Sequence, residues 1–483
     1  MGGSVLAALS WACADNGLSE PTGARPGGAA TVSFEPKRTF LQPSFLEPEH
    51  AATSPGHEES PGTSAASGSE SRASFYAGKA LAGQPWVRAP SSTDARDGLG
   101  PLYNARTCFA CHPEGGRGET GGDGPASVAT VVRLTMAPAG GPDPIYGSQI
   151  QTRSVGLASQ LRELAFLGKN ETLPFEATPV IEWKTRVFEY PDGETVELRK
   201  PRLKLSELSG GPVQAELALR HAPPLHGMGL LNGVSDAAIR RRADPTDRDG
   251  DGVSGRVRKL EGTDSGQIRI GRFGWKAERA SLREQVASAL RDDMGITSSV
   301  FPDQPCTDAQ QACRASPSGA DDKGVEISDA LLELLVGFTR DLGVPERRKP
   351  EHPMVVEGGR HFRKVGCATC HVSSQRTGPD PERPNLSEQV IWPYTDLLLH
   401  DMGSGLAGPT GRPMAREWRT PPLWGVGLAR AVRRNAGFLH DGRARTVEEA
   451  ILWHGGEAEG SRQRFVALPA ADRAELMAFV RSL

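Results

Sequence analysis

The sequence predicts a mainly α-helical chain of two related lobes, the first interrupted by a long insertion with some β structure. Three observations predict it. The pattern Cys-x-x-Cys-His occurs twice, at 108–112 and 367–371. A run P-P-L-x-G-x-G-L follows each motif, at 223–230 and 421–428. Each lobe then closes on an amphipathic segment of matching spacing: Leu335, Phe338, Arg340 and Leu342 recur as Leu476, Phe479, Arg481 and Leu483. Repeated landmarks in one order indicate duplication.

The elements follow in chain order. Residues 1–72 read as an export signal and disordered leader. Residues 1–13 are small and apolar like an export core, though without a basic start. Cys13 carries two readings, a residue lost with a cleaved signal or a lipid anchor. Residues 14–72 are rich in Pro, Gly, Ser, Ala and Glu without periodicity. The first lobe spans 73–347, and its insertion contains two strand-like runs, 128–136 and 180–199. Tyr190-Pro191-Asp192-Gly193 supplies a hairpin turn in the second run. Ser281-x-x-Glu284 and Thr446-x-x-Glu449 are capping boxes that open helices in the two lobes. The second lobe, 348–483, is compact.

Bulk properties agree with an exported packed protein. The chain has 483 residues, 37 % hydrophobic, with a net charge of −3. That balance argues against nucleic acid or an anionic membrane as partner. No apolar run reaches the ~18 residues of a spanning helix.

The cysteine pattern carries the chemistry. Two thiols three residues apart on one helical turn suit thioether attachment to the two vinyl groups of haem. The next residue, His112 or His371, then falls beneath the iron. The rival readings are weaker. Zinc needs four ligands per site, and a redox dithiol needs no histidine. The two lobes are therefore expected to be cytochrome c-like domains, with Cys108, Cys111, Cys367 and Cys370 binding two haem c groups. Cys306 and Cys313 flank a short polar loop with no nearby histidine and read as a disulfide.

Four further runs carry a family resemblance: DGLGPLYNA at 97–105, GRFGWKA at 271–277, YTDLLLHDMG at 394–403 and FLHDGR at 438–443. Together they resemble the di-haem oxidoreductase family, also labelled peroxidases or thiol oxidoreductases, over about residues 73–483. More distantly, the chain is similar to bacterial dihaem cytochrome c peroxidases. The resemblance implies one peroxide-reactive haem in the first lobe and one electron-relay haem in the second. It implies Gln285 and Asp293 as distal positioning and acid–base residues. It also points to His454, where the distant relatives place a Met ligand, as partner to His371.

Other residues keep two readings each. Trp275 is an inter-haem relay or core packing. His221, His226 and Met228, near the first P-P-L turn, are structural before they are ligands. His400 and His440 are rivals of His454, more suited to bonding a haem propionate or a loop carbonyl. Asp247, Asp249 and Asp251 form the D-x-D-x-D-G start of a calcium loop, with Arg258 where a full loop has glutamate.

The functional expectation is a periplasmic or exported oxidoreductase. Hydrogen peroxide or another small oxidant is reduced with electrons from a small redox protein or a quinol-linked donor. The alternatives are a non-enzymatic dihaem electron carrier and a dihaem oxygenase or protein-modifying enzyme.

Overall fold

The structure is a computed structural model that describes residues 68–138, 140–155, 175–261, 268–408 and 414–483. The leader and Cys13 lie outside the described residues. The elements used below are, in chain order, helix α1 (Gly68–Gly83), strands β1 (Thr130–Thr135), β2 (Thr178–Glu189), β3 (Thr195–Ser206) and β4 (Glu216–His221), and helices α2 (Leu282–Met294), α3 (Asp329–Arg340), α4 (Pro353–Lys364), α5 (Val447–Leu452) and α6 (Ala470–Ser482).

The fold is not mainly α. Helix accounts for 31 % and strand for 19 %, the latter in several small sheets, so the expected class is corrected to mixed α and β. Two physical causes account for it. The insertion supplies the longest strands, the 12-residue partners β2 and β3. Much of the wall around the two large cavities is irregular backbone whose apolar residues face a cavity rather than follow a helical period.

In the first lobe α1 packs on α3. A Cβ on Gly78 would meet the Leu334 carbonyl oxygen at 2.1 Å, so only glycine permits this approach. Phe75 and Phe338 pack with ring centroids 5.4 Å apart, both buried. Each such ring contributes roughly 1.5–3 kcal/mol on burial. The second lobe repeats the arrangement with α4 on α6. There a Cβ on Gly358 would lie 1.9 Å from the Glu475 oxygen, and Phe362 packs on Phe479 at 5.1 Å.

The repeated P-P-L runs fold alike. Gly227 (φ 73°) donates its N–H to Leu342, and Gly425 (φ 70°) donates to Leu483, each at 3.0 Å. The two turns also meet. His226 Nε2 bonds the Trp424 carbonyl at 3.0 Å. A Cβ on Gly227 would strike the Trp424 ring, and one on Gly425 would strike the His226 ring. The two capping boxes also form. Ser281 accepts from Glu284 N–H and Thr446 from Glu449 N–H. The Glu carboxylates reach back to the N–H of Ala280 and Arg445.

Within the insertion β1 pairs antiparallel with β4, and β2 with β3. The β2–β3 turn falls at Tyr190–Gly193 as predicted, with Gly193 at φ 85°. This hairpin crosses to the second lobe. Tyr190 and Leu198 join the core of Phe362, Phe465 and Leu476. Buried Arg473 bonds Asp192 and Glu194 at 2.7 and 2.6 Å, with its guanidinium 3.9 Å from the Tyr190 ring centroid.

Candidate active site

Each Cys-x-x-Cys-His motif lies on the wall of its own large cavity. The first, about 310 Å³, is lined by Cys108, Cys111 and His112. The second, about 180 Å³, is lined by Cys367, Cys370 and His371. The motif cysteines form no disulfide, whereas Cys306 and Cys313 are bonded to each other.

The histidine tautomers follow from their partners. His112 Nδ1 lies 2.7 Å from the Pro223 carbonyl and His371 Nδ1 lies 2.9 Å from that of Tyr394. A carbonyl only accepts, so Nδ1 carries the proton and Nε2 keeps its lone pair. His454 is arranged the same way, with Nδ1 2.7 Å from the Ala450 carbonyl. It lines the second cavity with His371. Burial pushes His112 and His371 down to about 4 and also lowers His454, so all three are neutral imidazoles, the form that binds metal.

The other histidines are committed elsewhere. His221 bonds Thr130 through Nδ1 and the Gly118 carbonyl through Nε2. His226 holds the turn described above. His400 lies on the second cavity wall between two carboxylates. Its two nitrogens sit 2.8 Å from Asp396 and from Glu457. Burial opposes its charge, but those carboxylates outweigh it and drive the imidazole up to about 12. His440 stacks on Trp418 with ring centroids 3.6 Å apart.

Helix α2 presents Gln285, Ala289, Asp292 and Asp293 to the first cavity, positions that recur at helical spacing on one side. The capping box sets where the helix starts, and Gly295 at φ 66° ends it. The two adjacent aspartates have opposite settings. Burial disfavours ionisation of Asp292, but Arg133 at 3.0 Å and Arg291 at 2.8 Å prevail and hold it below the usual range. Asp293 has no such ion pair among the described residues. Burial raises it to about 6, with Asp292 adding to the rise, against one stabilising bond from Gln149 Nε2 at 2.8 Å. Neighbouring acids split in this way mark an acid–base site.

Sequence reasoning put Gln285 and Asp293 together at the first site and Trp275 between the two sites or in the core; Gln285 and Asp293 line the first cavity, and Trp275 lines both. That reasoning missed Arg133 and Gln149, which come from β1 and the loop beyond it. It also missed Glu278 and Ala289 on the cavity wall. Ala289 was findable. Ser281 and Thr446 are equivalent, and Ala289 and His454 each lie eight residues further on. The backbone bears the register out: Phe273 bridges Arg279 as Phe438 bridges Ala444, and Gly274 and Leu439 share positive φ.

The calcium-loop carboxylates of Asp247, Asp249 and Asp251 converge within 4.8 Å. The loop lies on neither cavity wall. Each carboxylate also accepts a backbone N–H of its own loop.

The cavities share a wall of Arg117, Trp275, Arg419, Pro421 and Pro422. Arg117 is buried, its Nη1 has no hydrogen-bond partner, and it forms no ion pair among the described residues. Burial alone lowers it to about 10. An enclosed guanidinium in this state calls for an anion. Two apolar cavities, a lone-pair imidazole in each and a cation between them fit a pair of haems, whose carboxylates would meet Arg117.

These features define a protein built to hold two haems side by side. The chain belongs to the family described as "Di-haem oxidoreductase, putative peroxidase", whose profile matches residues 56–483. No curated protein matches. Among solved structures, a chain of Kuenenia stuttgartiensis hydrazine synthase under xenon pressure is similar at 13 % identity. The match covers 95 % of this chain and 100 % of that one, with a TM-score of 0.29, too low to carry an argument.

Proposed function

We propose that the chain is an exported c-type dihaem peroxidase in which the first site reduces peroxide and the second relays electrons. The observation that carries this reading is the difference between equivalent positions. His454 lines the second cavity together with His371, while Ala289, with no ligating atom, holds the equivalent position on the wall of the first. Cys108, Cys111 and His112 would hold one haem, and Cys367, Cys370, His371 and His454 the other. When bound, haem would supply a redox-active iron, to which Ala289 offers no second protein ligand at the first site.

The remaining work falls to the chain. Asp293, ionised above about pH 6, takes a proton from the near oxygen of peroxide and returns it to the far oxygen as the bond between them breaks. Gln149 aims that carboxylate, and Gln285, half-buried on the same wall, orients the oxidant. Arg133 and Arg291 keep Asp292 ionised, so Asp293 is the residue that changes protonation state. Trp275, in the shared wall and fixed by its Nε1 bond to the His221 carbonyl at 2.8 Å, is the relay between sites. Two electrons and two protons convert one peroxide to two waters. The electrons come from a small redox protein or a quinol-linked donor outside the cell membrane. The loop of Asp247, Asp249 and Asp251 takes calcium, which titration with calcium alone checks.

Peroxide-dependent oxidation of a reduced small cytochrome, measured with spin-resonance spectra of the ferric protein, tests the reading. One high-spin and one low-spin haem with turnover support it. Two low-spin haems without turnover overturn it and leave an electron carrier.

A further inference from the structure

A second enclosed space lies beside the first cavity, between the insertion and the disulfide loop. Its volume is about 10 Å³, room for one water molecule. Glu176, Gln151, Gln304 and the Cys306–Cys313 pair line it, and Gln149 and Asp292 belong both to its wall and to that of the first cavity.

The groups around this chamber are unusual. Glu176 is 2 % exposed and has no ion pair among the described residues. Its oxygens accept from the Gln151 N–H at 2.6 Å and from Gln310 Nε2. The charged and titratable groups facing it are Asp143 and Tyr146 from the insertion and Asp292 across the chamber. Arg133 and Arg291 pair with Asp292 rather than with Glu176. Burial, reinforced by Asp143, pushes Glu176 up to about 8, so it is a protonated acid at neutral pH. Gln304 donates through Nε2 to Glu326 at 2.7 Å, but its Oε1 is buried on the chamber wall without a hydrogen-bond partner. One water in the chamber would give that oxygen a donor in a space that Glu176 also lines.

We propose that this chamber is the proton inlet of the first site, in which Glu176 and one water held by Gln304 pass a proton beside Gln149 to Asp293. The proposal rests on Asp293 being the acid–base group of the peroxidase reading. Glu176 loses one proton, the Asp293 carboxylate gains it, no electron moves, and Glu176 is reprotonated from bulk water. Glu176 is the weaker acid, so transfer runs forward only when peroxide reduction consumes the proton at Asp293. That order keeps the store filled between turnovers. Glu176 acts through Asp293 and is a positioning and relay residue rather than a catalytic one.

The test uses the full haem-loaded chain and three variants, Glu176→Gln, Gln304→Leu and Gln149→Leu. Infrared difference spectra between pH 6 and pH 9 are expected to show a protonated-carboxyl band that titrates near pH 8 and is missing in Glu176→Gln. Peroxide turnover of the unsubstituted chain is expected to fall as pH rises through about 8. Glu176→Gln is expected to be several-fold slower at neutral pH and to lack that alkaline fall. Gln304→Leu, which keeps the acid but removes the acceptor for the water, is expected to slow turnover while retaining the infrared band. Gln149→Leu also loses the bond that aims Asp293, so it is the control for damage to the working carboxylate: turnover is expected to slow while both the infrared band and the alkaline fall are retained. The resting haem spectra should be the same in all four proteins, which separates proton supply from damage to the fold. If Glu176→Gln turns over with the rate and pH profile of the unsubstituted chain, or if the band is absent, the inlet is overturned. If the unsubstituted chain itself fails to turn over peroxide, the peroxidase reading falls first and the inlet with it.

Discussion

Ala289 occupies on α2 the position that His454 occupies just beyond α5, each eight residues past its helix N-cap, Ser281 or Thr446. One site therefore has a second imidazole and the other has a methyl group. His454→Ala is expected to turn the second haem from low to high spin. The reciprocal Ala289→His is expected to turn the first haem low spin and to abolish peroxide turnover. Spin-resonance spectra of the ferric proteins check both. A silent His454→Ala spectrum would remove it as a ligand.

Asp293→Asn removes the group in the first cavity that burial poises to give and take a proton near pH 6. Turnover is expected to fall about 10²–10⁴-fold. In the intact chain, kcat/KM should rise as pH climbs through about 6, because the carboxylate is the working base. Asp292→Asn should behave differently. It leaves Arg133 and Arg291 without their carboxylate and lowers stability by about 2–3 kcal/mol. That is below the figure for a fully enclosed pair, since both arginines are partly exposed. Steady-state kinetics beside denaturant melts tell the two roles apart.

Arg117 touches both cavities, so its charge acts on both haems. A nearby cation favours the reduced, less positive iron. Arg117→Leu is therefore expected to shift both midpoint potentials negative, and Arg117→Lys to shift them less. Potentiometric titration reads this directly. A shift at one haem alone would remove Arg117 from the shared wall.

Glu176 also sets a dependence of stability on pH. Its acid is weakened on folding, from 4.5 to about 8. The unfolded chain gives up the proton first as pH rises. The stabilisation is therefore complete below pH 4.5 and is lost progressively as pH climbs through about 8, on the order of a few kcal/mol in all. Melting temperatures of Glu176→Gln should lack this alkaline decline.

Arg473 ties the β2–β3 hairpin to the second lobe. Arg473→Leu is expected to lower stability by about 1–2 kcal/mol, because the freed Asp192 and Glu194 are exposed enough to rehydrate. Hydrogen exchange should quicken at 190–194 while α1 and α3 stay protected.

Much of the site was readable before any coordinates. The haem motifs, the two P-P-L turns and the capping boxes are local patterns with fixed spacing, and each fixes one backbone shape. Gln285 and Asp293 share a helix, so their common direction followed from their spacing. Gln149, Arg133 and Glu176 were out of reach. They lie more than a hundred residues before Asp293, and only the pairing of β1 with β4 brings the first two to α2. The fold class was misread for a related cause. Residues such as Leu423 and Leu439 are apolar because they face a cavity, and they follow neither the helical nor the strand period that signals an element. Ala289 was passed over because a methyl group announces no chemistry; only its equivalence to His454 gives it meaning.

The meeting of His226 with Trp424 has a consequence for assembly. Corresponding residues of the two repeats touch each other, each filling the hollow left by the other's glycine. That self-complementary contact is how identical subunits join in a symmetric dimer. A chain that repeats one pattern of turns and docks the copies on each other needs no second subunit to build that contact, and its two copies are free to differ at a single position, as Ala289 and His454 do.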